Sequence, residues 1–139
     1  MTFTETLLFL HVLSAFLLFG TVITYSAFAL GAPATPLALF TANRLWDIGG
    51  FGTLVLGIWL ALDIDGYELW DGWILGAIVL WVVVAALGFR ANEALSAPPS
   101  ASEAGVAAGA PAPPVWVWHW LRVLVTLALL FMMIFKPGA

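Results

Sequence analysis

The chain has 139 residues, 63% of them hydrophobic and only 9% charged, with a mean hydropathy of +1.08. A water-soluble domain of this size carries about 25% charged residues, so this chain lacks the polar surface to cover a core in water and belongs in a lipid bilayer. A net charge of −4 with four Lys and Arg in all excludes a nucleic-acid-binding surface, and the absence of Cys excludes disulfides, thiolate metal sites and Cys nucleophiles.

A helix crosses a hydrocarbon core of about 30 Å with about 20 apolar residues. Backbone groups in lipid must pair within their own helix or in a closed barrel. Four apolar runs without alternating polarity meet these conditions, over residues 6–30, 45–62, 70–90 and 115–135. They predict an all-α fold, a four-transmembrane-helix bundle, forming a single membrane domain over 1–139.

The first run follows Met-Thr-Phe-Thr-Glu-Thr, which lacks the positive n-region of a secretory signal. It is therefore read as retained, although Gly31, Ala32, Pro33 and Ala34 leave signal cleavage open. Pro33 and Pro36 are read as the end of this helix. His11 lies a few residues into it and shares a helical side with Ser14, Ala15, Leu18, Val22 and Ser26, a partly polar stripe.

The second run is the shortest. Arg44 and Asp47 open it, and Gly49, Thr53, Gly57 and Ala61 follow at four-residue spacing, with Gly50 and Gly52 alongside. Small residues at that spacing let another backbone approach closely. Packing inside one bundle is the favoured reading; a homodimer seam and room for a flat cofactor are the sharper ones. The turn that follows, with Asp63, Asp65, Gly66 and Glu68, lacks the full calcium-loop pattern and reads as a solvated acidic loop.

The third run carries Gly72, Gly76 and Gly88 at compatible spacing. After it, residues 91–114 are rich in Ala, Pro and Ser, which predicts a flexible loop. In the fourth run His119, Arg122 and Thr126 stand at i, i+3 and i+7 and form one polar edge. Charged side chains in a span normally face the interior and have a partner. Asp47 is the carboxylate at the matching depth, so an Asp47–Arg122 pair is expected as a structural lock, with Arg44 competing for Asp47. Trp46, Trp70, Trp73, Trp116, Trp118 and Trp120 fall near helix ends and read as an interfacial belt; Trp59 and Trp81 fall deeper.

Four spans put both termini and the 63–71 turn on one side of the membrane. Arg44, Arg90 and Arg122 lie toward the other, which by the positive-inside tendency places both termini outside the cytoplasm. His11 and His119 then sit near opposite faces, roughly 15 Å apart in depth. An imidazole in a bundle can ligate haem iron, bind copper or relay protons. That depth difference argues against one haem clamped by both histidines and leaves one-His ligation, or ligation completed by a second protomer. His11 is the stronger candidate ligand and His119 the weaker.

Leu10-His11-Val12 followed by Phe19-Gly20, Gly72-Trp73 opening the third run, and the closing Lys136-Pro137 resemble small bacterial four-helix predicted integral membrane proteins. That group is similar to copper-resistance protein D and to the bacterial protoporphyrinogen oxidase of the J type. The resemblance implies haem b held through His11. The oxidase group also carries a Lys shortly after its Gly-Trp, where this chain has Ile74-Leu75-Gly76-Ala77-Ile78, which argues against the oxidase reaction. The spans contain neither Cys nor a Met-rich stripe, which argues against copper transport.

Three readings follow. The first is a bacterial inner-membrane protein associated with haem b or porphyrin through His11. The second is a non-enzymatic component of the bilayer, either a homo-oligomer or an accessory subunit of a larger membrane complex, with Asp47, Arg122, Arg44 and the Gly49, Thr53, Gly57, Ala61 stripe as structural residues. The third, a small-ion or metal-handling protein, rests on the acidic turn alone. No Ser-His-Asp set, Walker motif or dinucleotide fingerprint supports catalysis.

Overall fold

The computed structural model describes residues 2–96 and 115–137. Four helices make up the fold: α1 (Phe3–Ala29), α2 (Pro36–Asp63), α3 (Gly72–Ser96) and α4 (Val115–Phe135). All four contain a segment long and apolar enough to cross a bilayer, and no strand occurs among the described residues. The face that holds the chain ends and the 63–71 turn is called here the turn side, and the opposite face the loop side.

Local chemistry sets the helix ends. Thr2 caps α1 in a reciprocal capping box, its hydroxyl accepting from the Glu5 N–H at 3.2 Å while Glu5 Oε2 accepts from the Thr2 N–H at 2.8 Å. Pro36 does not terminate anything. It occupies the first position of α2, with Thr35 as N-cap accepting from the Ala38 N–H at 3.2 Å. A proline loses nothing at that position, because its missing N–H has no helical partner there anyway. The second helix therefore starts well before residue 45, and Thr41, Asn43, Arg44 and Asp47 all lie on it. At the other end of the bundle, α3 runs on to Ser96 rather than stopping at residue 90. The remainder of the expected loop, 97–114, lies outside the described residues.

The bundle is built as two hairpins. In the first, α1 and α2 pack backbone to backbone. A Cβ placed on Gly49 would stand 2.5 Å from the Leu18 nitrogen and 2.8 Å from the Ser14 carbonyl oxygen, closer than any side chain can sit. Bonds across the contact support it: Thr21 donates to the Ala42 carbonyl at 3.3 Å, and Thr4 donates to Asp63 Oδ2 at 2.6 Å near the turn side. The second hairpin pairs α3 with α4, where Gly76 receives the Met132 methyl and Gly88 receives the Arg122 guanidinium. Of the three readings of the small-residue stripe, packing within the bundle is the one Gly49 displays. Gly52 likewise faces the Ser14 side chain.

Between the hairpins the backbones stay farther apart and large side chains bridge the space. Trp81 of α3 donates its indole N–H to the Gly50 carbonyl of α2 at 3.0 Å, and its ring stacks on Trp46 at 6.2 Å between centroids. Ser26 of α1 meets His119 of α4. Trp46 and Trp73 thus leave the expected interfacial belt: Trp73 is buried, and Trp46 belongs to the seam. Trp70 is largely exposed. Because the hairpins meet through side chains rather than backbones, the seam encloses space.

Candidate functional site

Two cavities occupy that seam. The turn-side cavity has a volume of about 620 Å³ and is walled by all four helices, mostly with aliphatic and aromatic groups. His11 is its imidazole. The ring is held against α2 because Gly57 has no side chain: a Cβ there would come within 2.9 Å of His11 Cε1. His11 Nδ1 is buried without a hydrogen-bond partner. Thr53, Gly57 and Ala61 of the small-residue stripe line the same space, so three of its four members serve the cavity. Lys136 closes the turn-side end of the cavity. Its ammonium donates to the Tyr67 hydroxyl at 2.6 Å and lies over the Tyr67 and Trp73 rings, 4.7 and 5.3 Å from their centroids. The backbone at Lys136 is left-handed (φ 40°), a terminal position where Pro137 stops α4.

The loop-side cavity has a volume of about 670 Å³ and a different chemistry. Arg122 is only 2% exposed and projects into the seam, its Cζ 4.5 Å from the Trp46 ring centroid and 5.5 Å from that of Tyr25. Tyr25 in turn places its hydroxyl 2.9 Å from Oδ1 of both Asn43 and Asn92, while Asn43 Nδ2 reaches Asn92 Oδ1 at 3.3 Å. One hydroxyl proton serves one acceptor at a time, so this is a shared network tying α1, α2 and α3 together. His119 sits behind it, fully buried, stacked on Tyr25 with Nε2 2.9 Å from the Ser26 hydroxyl. Ser26 also donates to the Val22 carbonyl at 2.9 Å. Ser26 thus stands between the Val22 carbonyl and His119 Nε2, while His119 Nδ1 is buried without a hydrogen-bond partner.

The sequence-derived candidates therefore part company. His11 lines a cavity; His119 lines neither, and it bonds to Ser26, fifteen residues beyond His11 on α1 and so about 22 Å further along the helix. The expected Asp47–Arg122 pair does not form. Asp47 instead faces Arg44 at 3.5 Å on the exposed surface, one turn away on the same helix. A neighbour three residues off on an exposed helix face is reached without desolvating the carboxylate, which crossing to α4 would require. The aromatic faces of Trp46 and Tyr25 take the guanidinium instead.

Tyr25, Asn43, Asn92 and Lys136 were not singled out as site residues. Asn43 and Asn92 lie just outside the apolar runs as read from hydropathy, and this hid them. Tyr25 is adjacent to Ser26 at the end of the polar stripe of α1, a usable signal. Among the described residues no group of three or more His, Cys, Asp or Glu could hold a metal ion. No protein-family model matches the chain, and no curated protein or solved structure matches it either.

Proposed function

We propose that this small membrane protein binds a flat apolar ligand in its turn-side cavity, in contact with His11, and that haem b or a related porphyrin is the ligand. The observation that carries the reading is the His11 imidazole, set against α2 at Gly57, in the wall of a cavity of about 620 Å³ with largely apolar walls. Ligand sites are concave, mostly apolar, about 300–1,000 Å³ in volume, and carry a few polar groups that fix orientation. Here His11 and Thr53 supply such groups within the wall.

The residues present fit a haem in kind. His11 is a side chain able to hold iron, the aliphatic walls suit a macrocycle, and Lys136 with Tyr67 stands at the turn-side end where acidic substituents would meet a cation. When bound, the group would supply redox or electron-transfer chemistry; the chain's own residues supply binding, a low-dielectric surrounding and exclusion of water. His119, committed to Ser26, takes no part.

The test is absorption spectroscopy of protein purified in mild detergent from haem-replete cells, with haem added back to any unloaded fraction. A Soret band that is lost in His11→Ala and kept in His119→Ala supports the reading. A colourless preparation that also fails to take up added haem or free porphyrin overturns it.

A further inference from the structure

We infer that the loop-side cavity is an anion site in which Arg122 binds a phosphate group, presented either as the headgroup of a membrane phospholipid or as a free phosphate. The argument starts from what Arg122 lacks. A guanidinium offers five N–H donors and stays charged, and a charge removed from water is strongly destabilising unless it is paired and hydrogen-bonded. Arg122 is 2% exposed, its Nε is buried without a hydrogen-bond partner, and no carboxylate among the described residues forms an ion pair with it. Its contacts with Trp46 and Tyr25 are to ring faces, which attract the charge but accept none of the N–H groups.

The surroundings are organised to leave that fork free. Gly88 clears the space beside it, since a Cβ there would stand 2.9 Å from Cζ. The Trp46 face holds the guanidinium in place. Asp47, the acidic group lining the cavity, is engaged by Arg44 at 3.5 Å on the exposed side. The same cavity brings in Asn43 and Asn92, whose amides add neutral donors, and extends past the exposed Phe89 on α3. A planar fork with unused donors in a cavity of about 670 Å³ matches the bidentate recognition of phosphate oxygens. The site is separate from the His11 cavity and independent of the proposal made for it.

The test uses the full-length protein in a neutral, phosphate-free detergent and follows its melting temperature with inorganic phosphate, with chloride at equal ionic strength, and in mixed micelles with phosphatidylglycerol or with diacylglycerol, which has no phosphate. The expected result is a rise of about 4 °C or more with phosphate or with phosphatidylglycerol, beyond that given by chloride or diacylglycerol. A response to both phosphate and phosphatidylglycerol identifies a site open to free phosphate, and a response to phosphatidylglycerol alone identifies a lipid headgroup. In Arg122→Gln the rise disappears, and in Asp47→Asn it persists. Should Arg122→Gln fail to fold, Gly88→Ala, which crowds the guanidinium, provides the same comparison, and native mass spectrometry of the unmodified protein reads retained phospholipid directly. The inference is overturned if neither anionic probe acts beyond its control, or if Arg122→Gln and Gly88→Ala keep the full rise. It is equally overturned if Asp47→Asn, or Glu103→Gln outside the described residues, destabilises the protein as Arg122→Gln does, because the partner is then a carboxylate of this chain.

Discussion

The Arg122 guanidinium of α4 lies 4.5 Å from the centroid of the Trp46 ring of α2, and the contact joins the two hairpins at a point where their backbones do not touch. A desolvated cation over an indole is worth about 2 kcal/mol. Trp46 also stacks on Trp81, whose N–H is bonded to Gly50. Trp46→Leu is therefore expected to lower stability in detergent by about 2–4 kcal/mol, from the lost contact and the cavity together. Trp46→Phe keeps a ring face and loses less. Denaturant titration of the two variants checks the order; equal losses would show that packing alone is at stake.

The Arg44–Asp47 pair is exposed on both partners, with side chains 63% and 52% accessible. Exposed pairs contribute about 0–1 kcal/mol and are screened by salt. Asp47→Asn and Arg44→Gln are expected to leave the unfolding midpoint nearly unchanged, and their effects should add. A loss of several kcal/mol in Asp47→Asn would revive the Asp47–Arg122 lock that the sequence suggested.

The bundle and its four spans were legible because length and hydropathy alone decide which segments enter lipid. What failed to show was anything that depends on neighbours. Pro36 stops a helix or starts one depending on which side of it the polar cap lies, and Thr35 decides for a start. Trp46 and Trp73 sit at depths where an interfacial belt is expected, and only the seam between hairpins turns them inward. The polar edge of His119, Arg122 and Thr126 was visible as spacing, and all three are buried. Their partners were not, because Tyr25, Ser26 and Trp46 come from other helices, and Asn43 and Asn92, which bond to Tyr25, lie beyond the apolar runs.

Among the described residues Ser26 is the one hydrogen-bond partner of the His119 ring, and its loss strands a second buried nitrogen. Leaving a buried donor or acceptor unsatisfied costs about 1–3 kcal/mol. Ser26→Ala is expected to fall in that range, whereas the double variant Ser26→Ala with His119→Leu should recover part of the loss by removing the stranded group. A double-mutant cycle measures the coupling; strictly additive effects would mean the bond contributes nothing in detergent.

Gly49 and Gly72 make a matched pair for the backbone contact. A Cβ on Gly49 would collide with Leu17, Leu18 and Ser14 of α1, while a Cβ on Gly72 meets nothing within 4 Å. The colliding atoms include backbone, which cannot rotate away, so α1 and α2 must separate along the hairpin and take the Thr21–Ala42 bond with them. Gly49→Ala is expected to cost about 2–4 kcal/mol, by overpacking and lost close contact. Gly72→Ala should be neutral or slightly stabilising, since alanine favours a helix more than glycine does. Unfolding curves in the same detergent decide the matter. If the two variants melt together, the α1–α2 approach is not as close as described, and the room that Gly57 leaves for His11 comes into question with it.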